Sequence, residues 1–180
     1  NIGPISVQNT FDGATYNISK IKAKYNNYDL TSSQISGSIN VSEEYEANAT
    51  LQIPEELTIS NLDSEVKIKG ININASYLSS LSLDARVNEI LLSNINNYSK
   101  NFVKDSKLNN LNIALQYNNS EAFVDASTLL LLGSDIAFLD NTKANASINA
   151  YITDKSLQEL TVNLNEIKFP MIPYYVKMNF

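Results

Sequence analysis

The 180-residue chain has no cysteine, no histidine and no tryptophan, and only 5 glycines and 4 prolines. Without cysteine there are no disulfides to constrain the unfolded chain, so stability has to come from pairing and burial. Without histidine or cysteine, a Ser–His–Asp triad, a Cys–His pair and the usual zinc sets are all excluded. No glycine-rich loop is present to cradle phosphate. Positive charge is also scarce: 13 Lys and Arg against 19 Asp and Glu give a net charge of −6 and a pI near 4.6. Neither a nucleic-acid backbone nor an anionic lipid surface is matched by such a chain. The strongest apolar run, residues 129–132, falls far short of the ~20 residues of a membrane helix. No signal peptide is recognisable, and a start at Asn1 in place of methionine fits a processed product or an excised domain.

What the chain has is alternation. It is 43% hydrophobic and 18% charged, outside the range of bulk disorder, and at this length folding removes about 70% of the extended chain's surface from water. In 36–53 with its flanks, Ile35, Gly37, Ile39 and Val41 alternate with Ser and Asn; after Glu43 and Glu44 the pattern resumes in Tyr45, Ala47, Ala49, Leu51 and Ile53. Period two places these side chains on one face of a pleated strand. Pro54, which cannot donate to a ladder, is expected to close the run. The pattern returns in Ala144, Ala146, Ile148, Ala150 and Ile152, so that EANATLQIPEEL and KANASINAYITDKSL read as two copies of one unit.

Along the chain, Asp12 and Gly13 signal a turn, and Tyr16 and Ile18 are followed by Ile21, Ala23 and Tyr25 with a one-residue slip near Ser19 and Lys20 that implies a bulge or bend. Lys20, Lys22 and Lys24 occupy the opposite, solvent face. Val66 and Ile68 precede a phase break at Gly70, and Ile71, Ile73, Ala75 and Tyr77 follow. Leu81, Leu83, Ala85 and Val87 begin a returning strand that extends to about Leu92. Ile95, Tyr98 and Phe102 then carry helical spacing, which predicts a helix over about 94–104. Leu111 to Tyr117 and Ala122 to Ala126 alternate about a turn at Asn118, Asn119 and Ser120; Leu160, Val162 and Leu164 do so again, with Ile167 and Phe169 shifted by one. Tyr174, Val176, Met178 and Phe180 close the chain as a last strand. The sum is a mainly β fold, α+β at most: a long bent antiparallel sheet, or unclosed half-barrel, packed on the helix near 94–104. It forms one elongated β-rich domain over 1–180, or two related halves of about 1–92 and 105–180.

The carboxylate pairs Glu43 with Glu44, Glu55 with Glu56, and Asp63 near Glu65 fall in expected turns, where acidic side chains face water. No catalytic, metal-ligating or cofactor-binding residues are assigned, and an enzyme is not expected. Asn17, Asn40, Asn48, Asn74, Asn97, Asn118 and Asn145 each stand two before Ser or Thr, against about four expected by chance. Asn48 also has Glu46 two positions before it. That arrangement resembles the acceptor sequence of the bacterial N-glycosylation system of campylobacters.

The EANAT run and the surrounding strand style resemble the JlpA-type surface lipoproteins of campylobacters. The cadence of LSLDARVNEILLSNINNYSK and LTVNLNEIKFP is similar to the YdgA-like bacterial periplasmic family. These resemblances imply an extracytoplasmic half-barrel with an apolar concave face and, for the lipoproteins, adhesion to host cells. The reading is a non-enzymatic envelope protein, periplasmic or on the outer-membrane surface, that binds a host-cell surface or a lipid-like ligand. Its face is expected to include Tyr45, Ala47, Ala49, Leu51, Ile73, Ala75, Ala146, Ile148 and Ala150, where small inward side chains leave room for either a packed helix or a hydrophobic ligand. The alternatives are a structural module whose edges recruit a partner strand and an outer-membrane barrel, suggested by the alternation that ends in Phe180.

Overall fold

In the computed structural model, residues 2–44, 46–61, 65–93, 106–134, 140–153 and 156–169 are described. They form a single antiparallel sheet of twelve strands: β1 (Ile5–Thr10), β2 (Gly13–Ile18), β3 (Ile21–Tyr25), β4 (Tyr28–Ser32), β5 (Ile35–Val41), β6 (Ala47–Ser60), β7 (Glu65–Tyr77), β8 (Leu81–Ser93), β9 (Ser106–Asn118), β10 (Glu121–Leu132), β11 (Thr142–Thr153) and β12 (Ser156–Lys168). The order is β1-β2-β5-β6-β7-β8-β9-β10-β11-β12, with the β3–β4 hairpin pairing onto the far half of β6. Among the described residues β1 and β12 each pair on one side only, so the sheet is open. No helix occurs among the described residues. The helix expected over 94–104, the last strand 174–180 and Tyr45 lie outside them.

From β5 onward the chain is a meander in which each long strand turns back on the last, as expected for alternating runs separated by short polar turns. Two expectations need correction. Pro54 does not close its run: β6 continues to Ser60, and an extra residue is accommodated where the register against β7 shifts between Ile53 and Glu56. Proline is tolerated there because a bulge leaves one residue out of the ladder. Glu55 and Glu56 therefore sit within a strand, not a turn. The slip at Ser19 and Lys20 is a bend and not a bulge. The chain leaves β2 there and starts the separate β3–β4 hairpin, freeing β2 to pair with β5.

The phase breaks form a crease that crosses the sheet. Gly70 in β7 has φ +64, Asn110 in β9 has φ +53 and Glu166 in β12 has φ +52. Register shifts accompany them in β6, between Ser127 and Leu129 in β10, and between Lys143 and Asn145 in β11. A left-handed residue in a strand produces a bulge and sharpens the local twist. Glycine and asparagine bear that conformation at little cost. At Gly70 a side chain would in addition overlap the Asn88 carboxamide. Across the crease the apolar phase moves by three residues in each of β7, β8 and β9, from Ile71 to Ile68, Val87 to Ile90 and Leu111 to Leu108. Pairing stays matched on both sides of it. The Thr128 hydroxyl donates to the Asn109 carbonyl at 3.1 Å, a contact across the register shift between Ser127 and Leu129.

Glu89, beside the crease, accepts hydrogen bonds from Lys107 at 3.0 Å and Lys69 at 3.1 Å and so ties β7, β8 and β9 together. The Lys107 contact, then the Lys69 contact, hold the Glu89 carboxyl below its ordinary value, with partial burial opposing them. Lys67 is raised by its hydrogen bond to Glu65 at 3.2 Å.

Burial is thin, as a single layer dictates. Among the described residues only Ile53 and Ala144 are buried hydrophobics, at 5% and 6% exposure. The rest of the apolar face is half-buried in the middle of the sheet and exposed toward its edges.

Candidate functional site

Residues directly opposite one another on adjacent antiparallel strands share a face, so register alone assembles the surface. One rung runs Val7, Tyr16, Gly37, Leu51, Ile73, Ala85, Ile113, Ala126, Ile148 and Val162, apolar from β1 to β12 with no polar interruption. Gly37 is required in it, because a side chain there would overlap the Tyr16 ring and the Thr50 carbonyl. The Tyr16 hydroxyl instead donates to that carbonyl at 3.2 Å, and its ring covers the glycine. A second rung contains Ile39, Ala49, Ala75, Leu83, Leu115, Val124, Ala150 and Leu160.

These two rungs place the residues singled out from sequence. Leu51, Ile73 and Ile148 lie in the first, and Ala49, Ala75 and Ala150 in the second. Ala47 stands one rung further out, opposite Tyr77, and Ala146 is opposite Leu164 toward the crease. The β6–β7 members and the β11 members share a face without touching, because β8, β9 and β10 lie between them. Leu83, Ala85, Ile113, Leu115, Val124 and Ala126 bridge that gap. Each was visible as an alternating position, but single-strand periodicity does not say which strands become neighbours.

Small and large side chains are mixed across the rungs, so the face is uneven. Toward β12 it is open: Leu160, Val162 and Leu164 are 55%, 59% and 56% exposed. Apart from Tyr16 the two rungs carry only aliphatic side chains and Gly37, and among the described residues no group of three acidic, histidine or cysteine side chains is placed to hold a metal ion.

The opposite face is hydrophilic. One of its rungs reads Gln8, Thr15, Ser38, Thr50, Asn74, Asp84, Ala114, Asp125, Asn149 and Thr161. Thr50 is fixed by Ser38, whose hydroxyl lies 2.9 Å from Thr50 Oγ1 and whose amide donates to the same oxygen at 3.0 Å. Asn48 is exposed on this face, directly opposite Asn40 in β5 and Ser76 in β7, and its Nδ2 donates to Glu46 Oε1 at 3.3 Å. Asn17 and Asn74 lie on the same hydrophilic face, Asn118 ends β9 before its turn, and Asn97 is outside the described residues. This face also carries a depression of about 490 Å³ near β9–β12, lined by Ala114, Gln116, Phe123, Asp125, Asn149, Tyr151 and Glu159 together with the backbone between them. Sequence reasoning missed it, since Phe123 and Tyr151 sit at polar-phase positions and count there only as exceptions to the pattern.

No protein-family model matches this chain, and neither a curated protein nor a solved structure matches it.

Proposed function

We propose that this protein is a non-enzymatic binding protein of the bacterial cell envelope whose apolar sheet face takes up the acyl chain of a lipid-like ligand. The observation that carries the reading is the ten-strand apolar rung from Val7 to Val162 in a one-layer sheet, half-buried in its middle and exposed at Val7, Ile148 and Val162. Solvent-facing apolar surface on this scale marks a site that binds something. The rung is more than long enough to lay an acyl chain across the strands. Nine inter-strand steps of ~4.8 Å give a rung roughly 43 Å long, whereas one leaflet's acyl chain reaches about half of a ~30 Å hydrocarbon core. The acidic surface disfavours electrostatic docking on an anionic bilayer, so uptake of single lipids fits better than adsorption to a membrane. The extracytoplasmic placement rests on the resemblance of the EANAT and NEIKFP runs to envelope families.

Native mass spectrometry of the purified protein incubated with palmitate or phosphatidylethanolamine tests the reading. A saturable adduct is expected, weakened by Ile148→Gln on the apolar face and left intact by Ser147→Gln on the other. Ile148 is already 43% exposed, so its substitution leaves folding largely untouched. Absence of any adduct, or equal loss in both variants, refutes the lipid assignment.

A second reading, a module that recruits a partner strand, is favoured by the one-sided pairing of β12 beside exposed Leu160, Val162 and Leu164. Val162→Pro, which breaks the β12 edge, would then abolish partner capture.

A further inference from the structure

The hydrophilic face is interrupted at one place. Between the crease and the outer strand ends, β6 to β12 present Asn, Thr, Gln, Ser, Asp, Arg and Glu on that face, except at Ala114, Phe123 and Tyr151. The three exceptions are neighbours. Phe123 and Tyr151 are directly opposite in β10 and β11, with ring centroids 4.6 Å apart and planes inclined by 19°. Ala114 lies one position along β9 from Gln116, the partner of Phe123, on the same face.

A cross-strand aromatic pair by itself stabilises a sheet. Here it does more than that. Phe123 stays 51% exposed among polar neighbours, and the short Ala114 side chain leaves the 490 Å³ depression beside the rings, a volume within the ~300–1,000 Å³ range of small-molecule sites. The Tyr151 hydroxyl donates to Glu121 Oε1 at 3.1 Å, which fixes the ring. Around the rings stand two carboxamides, Gln116 and Asn149, and two carboxylates, Asp125 and Glu159. A second depression of about 250 Å³ shares Ala114 and Asp125 and continues toward Asp84, Arg86, Asn112 and Ser127.

We infer that this depression is a binding site for a neutral saccharide. A pyranose ring presents an apolar C–H surface together with a perimeter of hydroxyls that both donate and accept. The first matches Phe123 and Tyr151. The second needs acceptors, supplied by Asp125 and Glu159, and groups that do both, supplied by Gln116 and Asn149. An anion is repelled by Asp125 and Glu159, and no cationic side chain lines the larger depression. An organic cation would use the rings and carboxylates but leave both carboxamides without a role. The inference is independent of the lipid reading, which concerns the other face.

Saturation-transfer NMR and calorimetry with cellobiose, maltose and lactose test it, with choline chloride as competitor. Saturable binding of at least one disaccharide is expected, with a dissociation constant on the order of 1 mM. Phe123→Ala should weaken it at least tenfold. Ala114→Gln, which fills the depression and keeps both rings, should do the same with an unchanged unfolding transition. No saturable binding of any of the three sugars, binding that survives Ala114→Gln, or binding of choline in place of sugar overturns the inference.

Discussion

Replacing Ile53 and Val162 by alanine, separately, measures how a one-layer sheet stores its stability. Both residues lie on the apolar face, but Ile53 is 5% exposed beside the crease whereas Val162 is 59% exposed on β12. Ile53→Ala removes three buried carbon groups at about 0.8 kcal/mol each. That gives about 2.4 kcal/mol before any cavity cost, at the low end of the roughly 2–5 kcal/mol typical of such changes. Val162→Ala removes two groups that are only about 40% withdrawn from water, or roughly 0.7 kcal/mol by the same coefficient. With a urea slope of about 2 kcal/mol/M for a chain of this size, the midpoints should fall by about 1.2 M and about 0.3 M. Urea unfolding followed by circular dichroism near 218 nm reads both, and an unchanged slope shows that the comparison concerns stability alone. Equal shifts in the two variants would refute the assignment of Ile53 to a packed rung between β6 and β7.

Three further outcomes follow from the geometry. Gly70→Ala should destabilise by at least about 1–2 kcal/mol, because a Cβ is disfavoured at positive φ, whereas Asn110→Gly at the matching point of β9 should change stability by only a few tenths; thermal unfolding checks both. For Glu89 the folded carboxyl lies below its ordinary value of 4.5, so its contribution is complete above that value and is lost as pH falls through the folded value. The stability gap between the wild type and Glu89→Gln should therefore be flat at about 0.5–1 kcal/mol from neutral pH down to about 5, then close in more acid solution, and shrink in high salt. If Asn48 is a glycan acceptor, the intact mass of protein from its native source exceeds the sequence mass, and Asn48→Gln removes the increment; an unmodified native mass ends that proposal.

The mainly β class, most of the strands and the faces within them were legible in the sequence because every long strand writes its orientation in a period-two code; the five-residue β4 (Tyr28–Ser32) was not. Gly70 was also legible as a bulge, since a glycine where the alternation changes phase supplies the left-handed backbone that a bulge uses. Pro54 misled for a physical reason: it forbids one ladder hydrogen bond, and a bulge is a place where that bond is not required. At Ser19 and Lys20 the bend was legible but the strand break was not, because a slip of phase looks the same whether a strand bends or ends. The crease as a whole was not legible. Asn110 and Glu166 carry positive φ as ordinary residues, and only the pairing shows that Asn110 aligns with Gly70 and that Glu166 lies two residues beyond the same row. The depression beside Phe123 stayed hidden for the same reason, because Ala114 and Tyr151 are 37 positions apart in sequence and become neighbours only through β10.

The burial gradient across the apolar face links architecture to the proposed ligand. In a single layer a side chain is shielded mainly by its neighbours on the same face, so a central residue such as Ile113 has flanking strands on both sides and an edge residue such as Val162 has one. Hence Ile113 is half-buried while Val162 and Val7 stay 59% and 61% exposed. An acyl chain laid across the rung therefore removes most water where the sheet is least shielded, and its binding must stabilise the folded state. The linkage is quantitative: at a free ligand concentration of 100 times the dissociation constant the gain is about 2.7 kcal/mol. Palmitate should then raise the urea midpoint by about 1.3 M at a slope of about 2 kcal/mol/M, with the largest protection from hydrogen exchange in β11 and β12. A midpoint indifferent to palmitate, with β12 exchanging as fast as before, would mean that the exposed rung is not where the lipid goes.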